Sequence, residues 1–186
     1  MTEHPIRLPG HRVVLRDFRP EDADGAFAVI GDDQVTRSLS FNSRTRDQVA
    51  VLIHEAVDRA KQHPRSEFYF AITLPEADKL IGFARLGLSG VQAAKLGYAI
   101  HAAQWGNGYA TDAIRTLLDF GFHHLDLHRV SAAIGPENAA SIAIAKRLGF
   151  RYEGCIRDHV YTNNAWRDSL LYSILAGEWH DQASPD

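Results

Sequence analysis

The chain has 186 residues and a mass of 20.7 kDa, with 45% hydrophobic and 23% charged residues, enough apolar material for a full core. Its net charge of −3 and pI near 6.3 come without a cluster of Lys and Arg, which excludes the basic patch that a nucleic-acid backbone requires. No segment is long and apolar enough to span a bilayer, the N-terminal residues carry no apolar signal core, and Cys155 is the sole cysteine; these features read as a cytoplasmic protein of one domain, 1–186, with its core over about 12–179 and no membrane partner.

Alternation over 13–16 predicts a first strand, and Arg19-Pro20-Glu21-Asp22 suits the start of a helix running to about Ile30, with a short helical piece over 33–39. Over 45–62 the residues Val49, Leu52, Ile53, Ala56, Val57 and Ala60 recur at helical spacing, giving one buried stripe. Three strands, 68–73, 80–88 and 93–100, are separated by a turn at 75–79 and by Ser89-Gly90, so an antiparallel meander is expected.

After a glycine-rich turn, Ala110, Ala113, Ile114, Leu117, Leu118, Phe122 and Leu125 share one helical face. A strand over 129–134, a helix over 138–148 capped by Gly149, and two late strands over 150–157 and 166–175 follow, joined by a polar loop at 161–164 and ending in a frayed tail after Glu178. Cys155, alone in a strand, reads as a buried small residue rather than a nucleophile. His123, His124 and His128 with Asp126 straddle a helix-to-strand transition, which denies them a common face; they read as a solvated linker, with no metal site.

The most informative segment is the turn at 101–113. Gly106 and Gly108 lack a β-carbon, so a large ligand can approach the backbone closely, and the following residues present free N–H groups at the positive end of a helix dipole. A pyrophosphate fits such a site without a basic side chain. An ordinary strand-to-helix turn would also use two glycines, and Gly106-Asn107-Gly108 superficially opens a dinucleotide fingerprint. The oxidoreductase reading fails because the third glycine position is Thr111 and the unit follows a meander instead of a repeated strand-helix-strand array.

Three blocks together resemble the GNAT superfamily of acetyl-CoA-dependent N-acetyltransferases, in its RimJ/RimL-like branch. They are Trp105-Gly106-Asn107-Gly108-Tyr109-Ala110-Thr111-Asp112-Ala113, the segment from Asn138 and Ser141 to Gly149-Phe150, and the stretch from Asp168 through Tyr172 to Trp179. The resemblance covers nearly the whole chain. It implies an α+β fold: a mostly antiparallel, twisted sheet of about seven strands with helices on both faces and a splay between the fourth and fifth strands. It implies acetyl-CoA as cosubstrate, a primary amine on a protein N-terminus or small molecule as acceptor, and direct attack in a ternary complex. Trp105 stands where the general family pattern has Gln or Arg, and Ala145 where many members carry a tyrosine acid; Ser141 takes the acid's role by resemblance.

Tyr98, Ala99, Ile100 and His101 then line the pantetheine arm, the turn from Trp105 to Thr111 holds the diphosphate, and Asn138 contacts the cofactor or caps its helix. The candidate bases are His101, the only group near 96–103 that titrates near neutral pH, and Glu67, which the resemblance favours as an acid before the second strand and which reads also as a solvated residue at a strand edge. Pairing of the last strand between two copies would make a homodimer. A non-catalytic acyl-CoA sensor is the alternative reading.

Overall fold

The computed structural model describes residues 4–183. Strand β1 (Arg7–Pro9) pairs antiparallel with β2 (Val14–Asp17), which pairs with β3 (Glu67–Thr73), then β4 (Leu80–Leu88) and β5 (Ala93–Ile100), all antiparallel. The predicted meander is therefore present with its predicted turns. β6 (Arg129–Ile134) lies parallel to β5, and β7 (Arg151–Thr162) and β8 (Ala165–Leu175) complete an eight-stranded sheet in the order β1-β2-β3-β4-β5-β6-β8-β7. β1 is the strand the sequence did not reveal, because three residues that include a proline give no periodicity to read.

A 3-10 turn at Pro20–Asp22, α1 (Ala23–Ile30), α2 (Asp33–Thr36) and α3 (Arg46–Ala60) cover one part of the sheet, packing Val29, Ile30, Val49, Ile53 and Ala56 against Phe18, Ala71, Phe83 and Ala99. Thr45 begins α3 with a capping box: its side chain accepts from Gln48 N while the Gln48 side chain accepts from Thr45 N. The larger core gathers Leu15, Phe70, Ile72 and Leu86 against α4 (Tyr109–His123), where Ala113, Ile114, Leu117 and Leu118 are buried on the predicted stripe. α5 (Ala139–Arg147) adds Ala145 and Leu148 to the same core, and Gly149 follows it at φ +81°, the left-handed conformation that ends the helix.

Three readings of the C-terminal part are corrected. The last strand, β8, is not exposed for pairing: it lies between β6 and β7, and the free edge belongs to β7. Register irregularities between Tyr152 and Gly154 and between Ile156 and Val160 interrupt that edge, which blunts it as a template for another strand. The loop at 161–164 is a tight hairpin in which Asn163 and Asn164 both adopt positive φ, +54° and +60°, as a two-residue turn of the right twist demands. As far as Ala183 the segment after Glu178 is not frayed, the rest of the expected tail lying outside the described residues: α6 (Ala176–Ala183) docks through Trp179, which is 4% exposed and donates its indole N–H to Asp119 at 2.8 Å.

Cys155 is exposed on β7, not buried. Local desolvation and the neighbouring Asp168 carboxylate push its thiol pKa up, so the thiolate that a nucleophile needs is disfavoured. His123 and His124 end α4 and point apart: His123 packs beside His180, and His124 stacks on Phe120. Among the described residues, no three His, Cys, Asp or Glu converge on a metal position.

Candidate active site

β5 and β6 are hydrogen-bonded neighbours only at their starts, where Ala93, Ala94 and Lys95 oppose Arg129, Val130 and Ser131. Beyond Lys95 the two strands part, and the edge of β5 from Leu96 to Ile100 is left without a ladder partner on that side. This opening is the predicted splay. An opening at the C-terminal ends of two parallel strands is the usual place for a ligand in a sheet of this kind.

The glycine turn sits at one end of the opening. Gly106 and Gly108 hold φ of +79° and +76°, and a β-carbon built on either would meet no atom within 4 Å. Gly108 is the N-cap of α4, so Tyr109, Ala110 and Thr111 begin a 15-residue helix with their N–H groups unpaired within it. A carboxylate braces this turn from below. Asp112, 8% exposed, accepts from the backbone N–H of His11 at 3.2 Å, Arg12 at 2.7 Å and Val13 at 3.1 Å, and Arg12 Nη1 donates to Asn107 O at 3.2 Å. The sequence reading assigned Asp112 no role; its only trace was an acidic residue in the first turn of a helix, a common pattern with many causes.

A cleft of about 620 Å³ runs from this turn along α5 and the end of β5. Tyr98, Ala99, Ile100, Trp105, Gly106, Gly108, Tyr109, Ala110, Thr111, Asn138 and Ser141 all line it. Two predicted cofactor residues stand apart. Asn107 is outside the lining and spends its side-chain N–H groups on the carbonyls of Gln104 and Trp105, which shapes the turn. His101 is not brought to the cleft: its Nδ1 accepts from Ala103 N at 3.1 Å, and it lines a separate cavity with Arg16, Asp78 and Leu80. Its place next to Ile100 in sequence hid this, because the chain leaves the sheet at Ile100 and turns into a 3-10 segment at Ala102–Gln104.

Trp105 is half-exposed and anchored by its indole N–H to Ile100 O at 2.8 Å, so it fixes the corner between β5 and the turn. Asn138 is the N-cap of α5, its side-chain oxygen accepting from Ser141 N at 3.1 Å; this leaves its amide nitrogen outside the cap. Ala145 is buried in the core. A phenol reaches Ser141 from elsewhere. Tyr98, on β5 across the splay, donates its hydroxyl to Ser141 Oγ at 2.8 Å, and burial raises the pKa of that phenol. Sequence reading placed Tyr98 against the cofactor but missed this contact, since the partners are 43 residues apart.

A second cavity of about 420 Å³ adjoins the cleft, lined by Phe41, Arg44, Arg59, Glu67, Tyr69, Phe83, Arg85 and Gly97 among others. The two cavities share Ser38, Leu39, Tyr98, Asn138 and Ser141. Glu67 therefore lies on the second cavity, where Arg85 engages its carboxylate at 2.9 Å. Gly97, on the same wall, leaves open space where a side chain would stand, with a φ that any residue can adopt.

A family model described as an acetyltransferase (GNAT) domain matches residues 12–151. The chain is 29% identical over 175 residues, 90% of its own length and 95% of the relative's, to the uncharacterised N-acetyltransferase p20 of Bacillus licheniformis. It is 29% identical over 117 residues, 61% of its length and 60% of the relative's, to the ribosomal protein uS5 alanine N-acetyltransferase of Escherichia coli. The structure superposes with a TM-score of 0.81 on Mycobacterium smegmatis RimJ, solved in complex with CoA-disulfide, at 26% identity over 97% of this chain and 96% of that one. Splayed strands, a glycine turn opening a helix, and the matched residues carry the same conclusion: the chain belongs to the GNAT family and is an acetyltransferase that transfers an acetyl group to an amine.

Proposed function

We propose that the acetyl donor is acetyl-CoA and that the protein passes its acetyl group directly to a primary amine while both substrates are bound. The observation that carries this reading is the shared wall. A donor lying in the cleft and an acceptor in the second cavity meet at Tyr98, Asn138 and Ser141, with no covalent relay needed between them.

The residues fit a CoA ester. The open space above Gly106 and Gly108 accepts a diphosphate, and the amides opening α4 bind it with the help of the helix dipole. The unpaired edge of β5 offers amide and carbonyl groups to the pantetheine arm, which would lie there like an added strand. When bound, acetyl-CoA supplies an activated acyl carbon and a thiol leaving group. A β5 amide aimed at the thioester oxygen would stabilise the charge that grows there during attack.

Tyr98 and Ser141 act on the sulfur side. Because Tyr98 donates to Ser141 Oγ, the hydroxyl hydrogen of Ser141 is released to donate elsewhere, and the departing sulfur is the group that gathers charge. A thiol with a cysteine-like pKa of about 8.5 leaves tolerably as an anion, so this hydrogen bond assists departure rather than determining it. On the acceptor side, Glu67 is the candidate base, reaching the amine through water while Arg85 holds its carboxylate. His101 is dropped from that role because its cavity is a different one.

The test is release of free thiol from acetyl-CoA with a panel of amines, paired with calorimetry on Gly108→Val. A β-carbon at Gly108 meets no protein atom within 4 Å, so a side chain there extends toward the space assigned to the diphosphate, and at φ +76° a β-branched residue also strains the turn that presents the amides. Affinity for acetyl-CoA should fall at least tenfold in a variant that still folds; unchanged affinity, or no thiol release with any amine, would overturn the reading.

A further inference from the structure

The acceptor-side cavity carries a charge pattern that narrows the acceptor. Its walls hold three guanidinium groups, those of Arg44, Arg59 and Arg85, against one carboxylate, Glu67. Glu67 is spent on Arg85. Arg44 lies over the Phe41 ring, 5.5 Å from its centroid, with no carboxylate partner among the described residues. Arg59 gives Nη1 to Glu55 at 3.1 Å, while its Nε is buried without a partner. With Arg85 paired to Glu67 and Arg59 to Glu55, the charge of Arg44 is left uncompensated among the described residues and the buried Arg59 Nε is left without an acceptor, and an anionic group would answer both.

The diphosphate is not that group, because none of these three arginines lines the cleft below the glycine turn. An acceptor amine by itself does not supply it either. Amines arrive as ammonium ions at neutral pH, and like charges repel them from this cavity, polyamines most of all. An amine that carries its own acid group resolves the conflict. Its carboxylate can take the planar fork of an arginine through two parallel hydrogen bonds, and the positive surroundings then favour the neutral, nucleophilic form of the nitrogen.

We infer that the acceptor is a small amine bearing a carboxylate, of the α-amino-acid type, held by Arg44 and Arg59 with its nitrogen toward the wall formed by Tyr98 and Ser141. The inference rests on the acetyl-transfer reading above. In the step, the nitrogen bonds to the acetyl carbon, the carbon–sulfur bond breaks, and one proton passes from nitrogen to sulfur by way of Glu67 and solvent, giving an N-acetyl acid and free thiol. The cavity, about 420 Å³, lies within the roughly 300–1,000 Å³ of small-ligand pockets.

The test compares the standard α-amino acids with their carboxamides and with polyamines, by thiol release and by calorimetry on CoA-loaded protein. At least one amino acid should exceed its carboxamide tenfold or more in kcat/KM. Arg44→Gln and Arg59→Gln should each raise KM for that acid about tenfold and leave the carboxamide unchanged, the scale expected for one hydrogen bond between charged groups. Carboxamides or polyamines used as well as the acids, or variants that weaken acid and amide alike, would overturn the inference while leaving the transferase reading intact. Should acetyl-CoA bind without any turnover, the transfer reading fails, and calorimetry decides the rest: selective binding of the acid supports the carboxylate site, and equal or absent binding removes it.

Discussion

Tyr98→Phe deletes a single hydroxyl from the wall between the two cavities, and the size of its effect follows from whom that hydroxyl serves. Its partner is Ser141 Oγ, 2.8 Å away. Removing Ser141 itself, as Ser141→Ala, takes away a donor to a sulfur that acquires negative charge, a contact of about 1.5–3 kcal/mol, or about 10- to 150-fold in kcat. KM for acetyl-CoA should move less than about threefold, because the grip on the diphosphate lies in the glycine turn. Tyr98→Phe removes a neutral hydrogen bond of about 0.5–1.5 kcal/mol, so about 2- to 12-fold in kcat. Since Tyr98 acts through Ser141, the double variant should be no slower than Ser141→Ala alone. The assay is steady-state thiol release at saturating acetyl-CoA, read as a double-mutant cycle. A pH profile adds a second readout: burial raises the phenol pKa above its ordinary value, so any loss of kcat from its ionisation should fall at a higher pH than an ordinary phenol's. Strictly additive losses, or a decline centred on the ordinary phenol value, would refute the arrangement.

Two further outcomes concern the frame of the site. Asp112→Asn leaves one carbonyl oxygen to serve three backbone N–H groups, so about 2–4 kcal/mol of stability should be lost, seen as a fall in Tm of about 5–15 °C; an unchanged melt would show that residues 11–13 do not depend on it. Glu153, held by Arg129 and Ser173, has its pKa lowered from 4.5 to about 2. A carboxylate depressed in the folded state stabilises it above the unfolded value and loses that effect as pH falls through the folded one. The wild type should therefore melt above Glu153→Gln at pH 6, and the two should converge between pH 4.5 and 2; parallel curves would contradict the ion pair's contribution.

Most of the scaffold was written in local pattern. The stripe on α4, the meander of β3 to β5 and the Asn138 and Gly149 caps of α5 each arise from residues within a few positions of one another, which is why they could be read in order. The failures share a cause. Cys155 reads as a strand residue either way, and only the placing of β8 between β6 and β7 puts its strand at the edge and the thiol in solvent. His101 belongs to the right segment but the wrong side, because the backbone turns away directly after Ile100.

By itself the sequence determined the order of elements, the glycine turn that opens a helix, and the resemblance to acetyltransferases, since each depends on short-range spacing that the chain carries wherever it folds. Only the tertiary structure decided which side chains meet: Tyr98 with Ser141 across the splay, Asp112 with residues 11–13, and Arg44, Arg59 and Arg85 around one cavity. Those contacts join strands and helices far apart in the chain, and their geometry exists only once burial of the shared core has fixed the sheet order and the packing of helices on it.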